Sequence, residues 1–133
     1  MSVYDEADYG LRLPQPYLAS WPEELPRNST NPALASSLVA MEGQGRLIGF
    51  TVSNTKASAQ FILLFDSNAL PADGAVPRMS FSVPASDAKA VYFGSSGRWF
   101  HQGIILCNSS TQGTKTIGSA DCIFDVQFVP QVI

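Results

Sequence analysis

From Ala35 onward the chain alternates apolar and polar residues in short runs. In Arg46–Asn54, Ile48, Phe50 and Val52 alternate with Gly49, Thr51 and Ser53. That period of two lays one face of a strand on a core and turns the other to water. Ser37–Glu42 precedes it across Gly43-Gln44-Gly45, a turn signal. Ser58–Asp66 carries the unbroken run Phe61-Ile62-Leu63-Leu64-Phe65, which predicts a strand buried on both faces. In Leu70-Pro71-Ala72-Asp73-Gly74 proline presets φ and glycine takes a positive φ, the chemistry of a turn. Arg78–Val83 alternates again, with Met79, Phe81 and Val83 facing in and Ser80 and Ser82 facing out. A short strand at Lys89–Phe93 and a turn at Gly94-Ser95-Ser96-Gly97 lead to a strand over Trp99–Ser109. Ser110–Ala120 reads as a loop. Cys122, Phe124, Val126 and Phe128 then alternate with Ile123, Asp125, Gln127 and Val129 until Pro130 ends the strand.

About seven short strands with turn signals roughly every ten residues, and no helical periodicity, predict an all-β fold. The expectation is a single β-sandwich over residues 35–133, Ig-like or jelly-roll-like. Residues 1–34 read differently, as an extended proline-rich N-terminal arm. Five of the nine prolines, Pro14, Pro16, Pro22, Pro26 and Pro32, lie there, and that density disfavours helix and central strand. Five of the eleven acidic residues also fall in the first 32, against Arg12 and Arg27. The arm is therefore acidic and the body neutral. Tyr4, Tyr9, Leu11, Leu13, Tyr17 and Trp21 are spaced along it with Leu18 and Leu25, so the arm has side chains with which to lie on a surface, its own or a neighbour's.

Composition narrows the function. Apolar residues make up 45% of the chain, enough for a core, while charged residues are only 14%. A net charge of −3, with the basic residues scattered singly, argues against nucleic-acid binding, which needs clustered Lys and Arg. Met1 to Leu18 has no basic start and no apolar h-region, and the longest apolar runs are far shorter than a membrane span. The expectation is a protein made in the cytosol that stays soluble or leaves as part of an assembly, with no membrane partner.

Candidate chemistry is sparse. His101 is the one histidine, with neither a Gly-x-Ser-x-Gly elbow nor a Cys/His cluster to accompany it, so no metal and no cofactor are expected. Asp121 and Asp125 share strand parity and read as a solvated outer face rather than a glycosidase pair. Asp66, Asp73 and Asp87 are isolated along the chain, which gives no calcium loop. Asn28-Ser29-Thr30 and Asn108-Ser109-Ser110 match the glycosylation sequon and, without a leader, read as chance. Arg98 beside Trp99 and Phe100 has the composition of an interface hot spot, and equally of core packing with a capping arginine. Cys107 and Cys122 read first as small buried hydrophobes. A symmetric hairpin centred near Thr114–Lys115 would set them opposite each other and allow a disulfide in an oxidising environment.

Leu47-Ile48-Gly49-Phe50-Thr51-Val52-Ser53-Asn54-Thr55, Ala59-Gln60-Phe61, Phe65-Asp66, Leu70-Pro71 through Val76-Pro77, Phe81–Pro84 and Gly97-Arg98-Trp99-Phe100 with Gly103-Ile104 together resemble small β-sandwich structural proteins of tailed bacteriophages. The resemblance spans about residues 45–128, leaves the arm uncovered, and rests on strands and turns rather than a catalytic signature. It implies a non-catalytic virion component, most simply a capsid decoration protein on the phage head surface. The major capsid protein and further copies of the chain, as a dimer or trimer, would be its partners. The arm aromatics together with Arg98 and Trp99 would be the contacts. The alternative is a receptor- or carbohydrate-binding module of a tail or fibre, presenting Trp99 or Tyr92 as a platform. An enzyme is not expected.

Overall fold

The computed structural model describes residues 25–131. Among them the chain forms nine strands and no helix. In chain order these are β1 Arg27–Thr30, β2 Ser37–Glu42, β3 Gly45–Asn54, β4 Gln60–Asp66, β5 Met79–Val83, β6 Asp87–Tyr92, β7 Arg98–Phe100, β8 Gly103–Ser109 and β9 Cys122–Pro130. They make two antiparallel sheets. The first runs β1-β9-β3-β6, with β7 also paired to β3, and the second runs β2-β8-β4-β5. The all-β sandwich expected from the alternation is thus the fold.

The core lies between the sheets. Phe50 and Val52 of β3 and Cys122, Phe124 and Val126 of β9 meet Ile62 and Leu64 of β4 and Ile104 and Leu106 of β8, all at 0–1% exposure. These are the positions of matching parity that the alternation assigns to one face. Each fully buried Phe, Leu, Ile or Val contributes about 1.5–3 kcal/mol relative to an exposed side chain. Phe50, Phe81 and Phe93 form a ring cluster at 5.4–6.3 Å between centroids, closing the core near the β5 and β6 edges.

The outer face of the second sheet is apolar as well. Leu63, Phe65, Ile105 and Cys107 form a second buried cluster against which Phe61 and Ala75 pack. The two long loops meet over it: Gly74 N donates to the Lys115 carbonyl at 2.8 Å, and Lys115 N to that of Ala75 at 2.8 Å. Lys115 Nζ reaches the Pro71 carbonyl at 2.5 Å, and Ile117 N the Asp73 carboxylate at 3.0 Å. This cover explains why β4 is apolar on both faces.

Two strands depart from the sequence reading. Arg27–Thr30, placed in the arm, is an edge strand paired with β9 in the register Asp125↔Thr30 to Phe128↔Arg27. It lies between Pro26 and Pro32, which an edge tolerates because one side of its ladder needs no donors. Trp99–Ser109 is two strands, not one. Asp66 accepts the backbone N–H of His101, Gln102 and Gly103, and that turn passes the chain from the first sheet to the second. Gly103 is required there: a Cβ on it would stand 2.5 Å from the Ser67 carbonyl and 2.7 Å from that of Met41.

The hairpin that would set Cys107 opposite Cys122 does not form. β8 and β9 belong to different sheets, and both thiols are free. Asn108 points its amide at Cys122 Sγ at 3.5 Å, so Cys107, its neighbour on the strand, faces the other way into the Leu63 and Phe65 cluster. Alternation along β8 therefore separates the two sulfurs by the thickness of the sheet.

Candidate binding face

Among the described residues, the outer face of the first sheet is exposed at Asn28, Thr30, Thr51, Ala88, Ala90 and Tyr92. Its strands place residues in rows that the register defines. Asn28, Gln127, Gly49 and Tyr92 lie across β1, β9, β3 and β6, and Thr30, Asp125, Thr51 and Ala90 form the next row. Ile123, Ser53 and Ala88 follow. Of these, Gly49, Thr51, Ser53, Ile123, Asp125 and Gln127 are the off-core positions of the alternating strands, whereas the sequence reading leaves Asn28 and Thr30 in the arm.

What the alternation did not reveal is how they are joined. Asn28 Nδ2 donates to Asp125 Oδ1 at 2.6 Å, and Gln127 Nε2 donates to Asn28 Oδ1 at 2.9 Å and to Asp125 Oδ1 at 3.3 Å. Asn28 is 97 and 99 residues from its partners, so no local motif could have announced the triad. Tyr92 stands at the β6 end of the first row, 73% exposed. Beside it Gly49 raises no side chain, since a Cβ there would meet the Val91 carbonyl at 2.6 Å. In these rows the one charged group is Asp125. Lys89 pairs with Val52, whose side chain is in the core, so it leans to the inner side of the edge strand. An inward-pointing charge of this kind discourages edge-to-edge pairing.

Arg98 and Trp99 lie at the end of the same sheet, on β7. Arg98 is exposed, with its guanidinium carbon 5.2 Å from the Phe93 ring centre, so it caps an aromatic at the margin of the core. Trp99 is half-buried. Its Nε1 donates to His101 Nδ1 at 3.2 Å, the rings are edge to face at 5.8 Å, and its carbonyl accepts from Arg78 Nη1. The indole is thereby committed to the β7–β8 turn. Arg78 also covers the Phe100 ring at 4.4 Å and approaches Asp66 at 3.7 Å.

Asp66, read from sequence as isolated, is the organising group of this end. Burial alone would push its carboxyl up. The N–H groups of His101, Gln102 and Gly103, with Arg78, outweigh that and hold it below the usual carboxylate value. Asp121 accepts a hydrogen bond from Ser119 Oγ just ahead of β9, away from the Asn28 triad that holds Asp125. Burial pushes the Cys107 thiol up to about 11, against a smaller opposing pull from Lys115, and burial raises Cys122 as well. Neither thiol is prepared for chemistry near neutral pH.

An open groove of about 330 Å³ lies beside the β5 edge, between Val76–Ser80 and Gln112–Gly113. Among the described residues no three His, Cys, Asp or Glu side chains converge as metal ligands, and no helix is long and apolar enough to cross a membrane. Tyr4, Tyr9, Leu11, Leu13, Tyr17 and Trp21 lie outside the described residues. Comparison with protein-family models, with curated proteins and with solved structures finds no match to this chain.

Proposed function

We propose that the protein is a non-catalytic structural component of a phage virion, a capsid decoration protein that binds the head lattice through its N-terminal arm and its sandwich. The observation that carries this reading is the anchorage of the arm. β1 joins the sandwich through four paired residues, and Asn31 adds two more ties, accepting from Phe124 N at 2.7 Å and donating to the Cys122 carbonyl at 3.0 Å. Residues 1–24 therefore depart from a fixed point on a stiff body. Fully extended, such a segment could reach about 80 Å, enough to cross a neighbouring subunit. Rooting one end of a binding segment lowers the entropy lost when the rest docks.

The resemblance of residues 45–128 to phage β-sandwich proteins supplies the virion context. The acidic arm fits basic patches on the major capsid protein or on a second copy of this neutral body. Repetition on a lattice lets weak single contacts sum to stable attachment.

The test uses undecorated capsids of the phage that encodes the chain. Full-length protein and a version beginning at Leu25, which retains β1, are mixed with capsids and compared by electron microscopy and co-sedimentation. The full chain should give ordered density on the shell, and the shortened chain should bind at least about tenfold more weakly. Equal binding by both, or a bare shell with the full chain, overturns the reading.

A further inference from the structure

The geometry points to an acid-sensitive lock on the Trp99 indole: neutral His101 holds it against the β7–β8 turn, and protonation of the imidazole releases it as a contact residue.

The hydrogen bond fixes the tautomer. Trp99 Nε1–H donates to His101 Nδ1 at 3.2 Å, with the rings edge to face at 5.8 Å. An indole nitrogen can only donate, so Nδ1 must present its lone pair and the imidazole proton sits on Nε2. A second proton on the ring goes to Nδ1, the one nitrogen with a lone pair left. Two N–H groups then face each other, and the bond is lost. Imidazole is the side chain that makes this change between about pH 5 and 8.

The frame around the pair is pinned by groups that keep their charge. The Trp99 carbonyl accepts from Arg78 Nη1, and the Asp66 carboxylate accepts from His101 N at 3.0 Å. Arg78 and Asp66 approach each other at 3.7 Å. Arginine stays protonated across this range, and the Asp66 carboxyl is held below the usual value, so both contacts persist to about pH 5. Three other charged residues stand around the turn. Arg46 pairs with Trp99 from β3, and Glu42 pairs with Gly103 from β2. Arg98, beside Trp99 on β7, turns to the Phe93 ring. Arg46 and Arg98 are themselves tied to the backbone carbonyls of Ser95, Ser96 and Gly97. Among the described residues no carboxylate lies within ion-pair distance of the His101 ring. Acid therefore changes the Trp99–His101 bond and leaves the backbone that carries it in place.

The position gives the lock its use. Trp99 is half-buried at the end of the first sheet, next to an exposed arginine. An aromatic beside an arginine has the composition of an interface hot spot, but an indole whose N–H is held by His101 is spent on its own turn. A net hydrogen bond of this kind shifts a population by about fivefold. Only the use of the released indole as a contact rests on the proposed capsid docking. The lock is a property of the isolated chain, so either can fail alone.

The experiment is a titration of the ¹⁵N-labelled full chain from about pH 8 to about pH 5, without capsids. The chain holds two tryptophans, and Trp99→Phe identifies which indole resonance is that of Trp99. That resonance should move along one curve whose midpoint matches that of the His101 ring. His101→Asn places an amide oxygen where Nδ1 stands, an acceptor that does not titrate, so the indole should stay held and its resonance flat. His101→Phe removes the acceptor. At about pH 8 its indole N–H should exchange with water about fivefold faster than in the parent, with no further change in acid. Because His101 is exposed, these variants keep the dispersed backbone spectrum that reports the fold. A Trp99 indole that stays put while the His101 ring titrates overturns the inference, as does one that shifts equally in His101→Asn.

Discussion

Replacing Asp66 by asparagine tests the account of how the chain turns from one sheet to the other. The Asp66 carboxylate accepts from His101 N at 3.0 Å, from Gln102 N at 2.8 Å and from Gly103 N at 3.4 Å, with Arg78 Nη1 at 3.7 Å. Hydrogen bonds to a charged group contribute about 1.5–3 kcal/mol each where water cannot replace them. Here the His101 and Gln102 bonds are exposed and the Gly103 bond is long, so the three together are worth roughly one such bond. The Arg78 pair adds little, because that guanidinium is 39% exposed and screened. Asp66→Asn keeps the shape and one acceptor oxygen but removes the charge. It should cost about 1–2 kcal/mol near pH 7, lowering Tm by roughly 4–8 °C for a domain of this size.

The pH dependence has a definite sign. The folded pKa of Asp66 lies below its unfolded value. The stabilisation is therefore fully present above the unfolded carboxylate value of about 3.9 and lost as pH falls through the folded one. Urea denaturation of both proteins should show the Asp66→Asn deficit at about pH 7 and its disappearance well below about pH 3. A variant as stable as the parent at neutral pH would refute the reasoning, as would a deficit unchanged by acid.

Two further outcomes follow from packing. Gly103→Ala should lose about 2 kcal/mol or more, because both atoms its Cβ would strike are backbone carbonyl oxygens, whereas Gly113→Ala, with nothing within 4 Å, should change stability by less than about 0.5 kcal/mol. Thermal melts of the pair decide it, and equal losses would show that the β7–β8 turn is not tight. The thiols of Cys107 and Cys122, both buried with raised pKa values, should be silent to a thiol reagent in the native protein at about pH 8 and both react after unfolding. Fast native labelling of either would place it nearer the surface than the fold does.

Alternation sufficed wherever a strand had one wet face. Phe50 and Val52 against Thr51 and Ser53, and Cys122, Phe124 and Val126 against Ile123 and Asp125, show which side is core without reference to any partner. The same logic assigned Asp125 and Gln127 no more than an outward direction, and it left Asn28 in the arm and Tyr92 without a face. Asp66 was legible only as the polar end of an apolar run, since the N–H groups it holds come from the other side of a 35-residue excursion.

The sequence by itself determined that the body is built of short strands, where most of them and their turns fall, and which residues of the alternating strands face the core, because side-chain period and turn chemistry are properties of a few consecutive residues. It also determined that β4 needed cover on both faces, through the run Phe61–Phe65. Only the tertiary structure decided which strands pair. It put Arg27–Thr30 on the edge of β9, split Trp99–Ser109 between two sheets, and set Cys107 and Cys122 on different layers. It also brought Asn28, Asp125, Gln127 and Tyr92 onto one surface. Pairing joins segments tens of residues apart, and the energy that selects one partner over another comes from burying whole faces together. No window of the chain contains that information.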